Sequence, residues 1–116
     1  MKNFLAIYLG TPDSMKKWEN LSETEQQQRM KEGMAAWTGW MEQHKDILVV
    51  EGGPLGKTKR IDDDGIVDTR NNMTGYVIVK AESHEAAAKL FEGHPSFSIF
   101  PGDGVEVMEC MPIPTL

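Results

Sequence analysis

The sequence predicts a single two-layer α+β domain whose elements follow the order β-α-β-β-α-β. Three observations carry that expectation. Short apolar runs at Phe4–Leu9, Ile47–Val50 and Gly75–Val79 have the length and the β-branched or aromatic content of buried strands. Two capped stretches with helical spacing, opening at Ser22 and at Ser83, lie between them. The chain has 116 residues, 40% hydrophobic and 26% charged, which suits one core over residues 1–116.

Phe4-Leu5-Ala6-Ile7-Tyr8-Leu9 is apolar on both alternating faces, and Gly10, Thr11 and Pro12 end it. Asp13 or Ser14 is placed to cap a short helical turn through Trp18. Ser22-Glu23-Thr24-Glu25 has the form of a capping box, so a long helix starts there. Met30, Met34, Trp37, Met41 and His44 then recur at alternating steps of four and three, which is one helical face. Gly33 and Gly39 interrupt that helix at about 1 kcal/mol each, and mark close packing on a sheet. Ile47–Val50 is a second strand, ended by Gly52-Gly53-Pro54.

Lys57–Ile61 and Ile66–Thr69 flank Asp62-Asp63-Asp64-Gly65, an Asp-Gly hairpin signal, and their polarity makes them an exposed ribbon or sheet edge. Gly75–Val79 is the clearest strand. Ser83 caps a helix holding Ala87, Leu90 and Phe91, with Gly93 past its end and Pro95 as its stop. Val105–Met111 alternates as a last strand before Pro112 and Pro114. Two helices on one face of an antiparallel sheet make a ferredoxin-like two-layer sandwich with an extra β-hairpin. The other face has no cover within the chain. A second copy of the same sheet covers it most simply, so a homodimer through the sheet is expected.

Eighteen acidic and 12 basic residues give a net charge of −6, which repels nucleic acid and anionic membranes. The first apolar run is too short for a signal peptide or a membrane span, so the expected location is cytoplasmic. Cys110 is the single cysteine, which excludes an internal disulfide and a multi-thiolate zinc site; it is expected buried and inert in the last strand. No cofactor motif is present. No two histidines have metal-ligand spacing, and the contiguous Asp62-Asp63-Asp64 lacks the alternation of a calcium loop, so no metal site is expected.

His94 follows a helix end, where the carbonyl dipole stabilises a cation, and that is its plain reading; the functional alternative is a general acid/base, with Asp68 or Asp103 as its acidic partner. His44 reads as a helix C-terminal cap and His84 as an exposed first-turn residue. Trp37, Trp40, Met34 and Met41 form an aromatic and thioether surface whose plain reading is core. Two tryptophans three residues apart are hard to bury fully in so small a core. With Tyr8 and His44 they are therefore candidates to line a pocket for an apolar or aromatic ligand, between the long helix and the sheet.

In order, Ile47–Leu55, Asp64-Gly65, Gly75–Val79 with Ser83 and the alanines, Pro95, Val105-Glu106-Val107 and Met111-Pro112 resemble the YCII-related proteins over about residues 3–113. Within them the chain is similar to the branch named for an Asp-Gly-Pro-Phe motif, here altered to Asp64-Gly65-Ile66-Val67-Asp68. The resemblance implies a ferredoxin-like fold that dimerises into an α/β barrel. It also implies, for a few members, small-molecule chemistry such as release of chloride from a chlorinated hydroxyquinol, with a His/Asp pair moving protons. The positions that would hold that pair carry Ala36, Trp37 or Thr38 on the long helix and His94 before Pro95. The resemblance therefore brings the fold without the dyad.

Overall fold

The computed structural model describes residues 1–115. Strands β1 (Lys2–Leu9), β2 (Leu48–Pro54), β5 (Met73–Ala81) and β6 (Gly104–Glu109) form one antiparallel sheet of order β2-β5-β1-β6, while β3 (Thr58–Asp62) and β4 (Gly65–Thr69) pair only with each other. Helices α1 (Pro12–Glu19), α2 (Glu23–Gln43), α3 (His84–Lys89) and α4 (Pro95–Ser98) complete the chain, with a 3-10 turn at Lys45–Ile47. This is the ferredoxin-like arrangement with an added hairpin. No helix among the described residues is long and apolar enough to cross a membrane.

β1 is central because it is apolar on both faces from Phe4 to Leu9: it pairs with β5 on one side and β6 on the other. Phe4, Ala6 and Tyr8 face the helices with Val77, Val79 and Ala81 of β5, and Trp40, Ala87 and Phe91 close the core over them. Leu5 and Ile7 lie on the opposite face, in register with Ile78 and Tyr76 of β5 and with Met108 and Glu106 of β6. Val50 joins them from β2.

Several elements differ from the sequence expectation, each for a local reason. Thr11, rather than Asp13 or Ser14, caps α1: its hydroxyl accepts the Ser14 N–H, and Pro12 takes the first helical position, where a missing N–H is harmless. Strand β2 starts at Leu48 and continues through the glycines to Pro54. Gly52 makes this possible, since its φ is +67° and a Cβ there would overlap the Tyr76 carbonyl oxygen. Pro95 opens helix α4 instead of stopping the chain in a loop, with His94 as N-cap. β6 ends at Glu109, which leaves Cys110 outside the strand and exposed.

Helix α2 starts as expected, with the Ser22 hydroxyl accepting the Glu25 N–H at 3.1 Å. At Gly33 the Phe100 ring lies where a side chain would project, 2.6 Å from an ideal Cβ, so this glycine reflects close packing. Gly39 has open space around it and no such reason.

Candidate functional site

A cleft of about 730 Å³ opens between α2 and one end of the sheet. The sequence stripe forms one wall: Met30, Met34, Trp37 and Met41 project from α2, and Met15 of α1 joins them. Tyr8, the Gly52–Pro54 glycine turn and Thr74–Tyr76 supply the sheet side; Ser96, Phe100, Pro101 and Gly102 close the remaining side. Met30 and Met34 are about half exposed, while Trp37 and Met41 also pack against the core, so the stripe passes from core to open cleft wall. Unbranched thioethers beside aromatic rings make an adaptable apolar surface.

Tyr8 fixes the inner end. Its ring meets Trp37 edge-on at 5.0 Å and His94 at 5.1 Å. Burial pushes its phenol well above the usual tyrosine range, so it stays protonated. His94 is almost fully buried behind this wall, with Trp37 and Trp40 each 4.8 Å away and Phe91 at 5.8 Å, centre to centre.

The cationic reading of His94 at a helix C-terminus does not hold. Its Nδ1 accepts the Ser96 N–H at 3.0 Å, as the N-cap of α4, so at neutrality the proton sits on Nε2. Burial, aided by repulsion from His44, pushes its pKa down to about 4. Nε2 and the Ser96 hydroxyl are both buried without a hydrogen-bond partner. The hydroxyl is not bonded to the imidazole, so the two form no nucleophile–base couple.

The other candidates fall in different places. Of the predicted ligand-binding residues, Tyr8, Met34, Trp37 and Met41 line the cleft, whereas Trp40 and His44 do not. Trp40 belongs to the core, its Nε1 donating to Leu90 O at 3.0 Å. His44 is the C-terminal cap of α2, its ring tilted against Trp40 at 4.5 Å and its Nδ1 donating to Trp40 O. His84 is exposed in the first turn of α3, as expected, and donates to Val107 O.

Neither aspartate is brought to His94 or to the cleft. Asp68 lies on the hairpin, in an exposed ion pair with Lys59 at 2.6 Å. Asp103 accepts from Ser14 Oγ and from the Thr11 N–H, each at 2.6 Å, and ties the loop before β6 to the start of α1. Those two bonds, Ser14 first, hold its carboxyl below the usual range. It lines a second cavity of about 500 Å³, with Trp18, Lys17 and Arg29, on the other side of the Phe100–Gly102 loop. Among the described residues no group of three or more His, Cys, Asp or Glu side chains is gathered for a metal.

Ser96, Met15 and Glu51 escaped sequence reasoning. Ser96 alone had a usable signal, since a serine two positions into a proline-led turn brings its backbone N–H to the residue before the proline.

A structure of 5-chloro-2-hydroxyhydroquinone dehydrochlorinase from Burkholderia phenoliruptrix, in complex with 2,5-dihydroxybenzoquinone, is similar to this chain with a TM-score of 0.56. The two are 21% identical, and the similarity covers 94% of this chain and 93% of that one, a likeness of fold. No curated protein matches the sequence. The model of the YCII-related domain matches residues 11–113. On that match over nearly its whole length, the chain belongs to the YCII-related family.

Proposed function

We propose that this protein binds a compact, mainly apolar ring compound in the cleft between α2 and the sheet. The carrying observation is the cleft itself, open and walled by Met15, Met30, Met34, Met41, Trp37 and Tyr8. Its volume of about 730 Å³ lies within the range of small-molecule sites. The similar dehydrochlorinase structure holds a six-membered quinone ring, and this cleft has room for a ring of that kind. Titration with phenols and benzoquinones should quench tryptophan fluorescence saturably, and Trp37→Phe should remove most of that signal. Unsaturable quenching of equal size in both proteins would refute the reading.

A proton-transfer enzyme using His94 with Asp68 or Asp103 receives less support, because each aspartate is committed to other partners and the imidazole is a weak base. A dimerising module without a ligand would suit a closed, dry space under Trp37, and the cleft there is open.

We also propose that the bare sheet face joins two copies. A folded monomer of 13.0 kDa exposes about 6,300 Å². This chain exposes 8541 Å². The excess, on the order of 2,000 Å², is shared between this face and the separate β3–β4 hairpin, and it leaves room for the roughly 800 Å² that one partner hides in a standard interface.

A further inference from the structure

Resting on the cleft reading above, we infer that the ligand is an uncharged ring bearing a hydroxyl or carbonyl oxygen, and that Ser96 Oγ is the group that recognises it. Two independent observations lead there. The first is hydrogen bonding. Ser96 lines the cleft and is 7% exposed, yet its hydroxyl has no partner. A buried hydroxyl left unpaired is costly, and a ligand oxygen that reached Ser96 from the cleft would relieve that cost. Of the other lining hydroxyls, Thr11 is engaged with Ser14 and Thr74 with Tyr8 O. Thr38 and the Tyr8 phenol also line the cleft, but Ser96 Oγ alone among the lining hydroxyls is both buried and unpaired.

The second observation is charge. Glu51 is the one formally charged side chain among the described residues that line the cleft, and no lysine, arginine or histidine faces it. An aryl carboxylate or phenolate would lose its hydration, find no cation and meet a carboxylate. A neutral phenol, enol or ketone meets none of these penalties and can pair with the serine. Tyr8, itself a protonated phenol at the inner end, is compatible with such a neighbour.

Three probes of one shape separate the possibilities: toluene, p-cresol and 4-methylbenzoate, titrated calorimetrically into the wild type and Ser96→Ala. This substitution keeps the backbone N–H that bonds His94, and binding of toluene certifies that the variant is folded. The wild type should bind p-cresol about 10-fold more tightly than toluene, the size of one hydrogen bond, and bind 4-methylbenzoate most weakly. In Ser96→Ala the preference for p-cresol should vanish while toluene binding persists. Equal affinity for p-cresol and toluene in the wild type would overturn the inference, as would a preference that survives in Ser96→Ala or tightest binding of 4-methylbenzoate. If none of the three binds, the cleft reading itself fails and the inference falls with it.

Discussion

Protonating His94 would place a charge among the rings of Tyr8, Trp37, Trp40 and Phe91 and would cost its Nδ1 the bond from Ser96 N–H. Its pKa is about 4 when folded, against 6.5 for an ordinary histidine. Because folding favours the neutral form, the unfolded chain binds the extra proton first as pH falls. Stability should therefore be full above pH 6.5 and decline by about 3 kcal/mol toward pH 4. Urea midpoints across that window, taken against His94→Gln, would show a difference that shrinks with falling pH; a constant difference would contradict the neutral, buried assignment. At the neighbouring contact, Gly33→Ala would push a methyl into the Phe100 ring. We expect a loss of about 1–3 kcal/mol by overpacking, despite the better helix propensity of alanine, measured as a lower Tm.

At the scale of elements, α2 presents a cleft face along Met30, Met34, Trp37 and Met41, and a core contact at Trp40 beside it. Met30, Met34, Trp37 and Met41 were legible in the sequence because helical periodicity places them together whatever lies opposite. Whether that face was core or cleft was not legible, since both need apolar side chains. Trp40 turned inward because it sits one step round the helix, over Phe91 and the sheet. The place of His94 at a helix start was not legible, because Pro95 has the form of a stop and instead opens α4. The end of β2 was missed because glycines normally punctuate, while here Gly52 adopts a left-handed conformation inside a paired strand. Loss of the α2 cap in Ser22→Ala should cost about 1 kcal/mol, seen as a modest fall in Tm with ligand affinity unchanged. The β3–β4 hairpin pairs only with itself, so replacing residues 58–69 by a short Gly-Ser linker should leave the four-stranded sheet folded by circular dichroism. Global unfolding of that variant would show that the hairpin supports the sheet.

For the whole molecule, the order and pairing of the main elements were readable because strand and helix signals were long and well capped. The proposed cover of the outer face of the sheet is a second copy of the chain. Val50 and Met108 stand well exposed on that face, around the half-buried Leu5 and Ile78. Light scattering should report a dimer, and Met108→Lys should convert it to a folded monomer by placing a charge in the joint. A monomeric wild type would refute the proposed pairing.

The cleft is tested most directly by the methyl spectrum of methionine-labelled protein during titration with p-cresol. Met15, Met30, Met34 and Met41 line the cleft, while Met108 lies on the outer face of the sheet and Met111 beyond its last strand. The account predicts saturable shifts for the first four, with Met108 and Met111 unmoved. Shifts confined to Met108, or no saturable shift at any of the four, would contradict it.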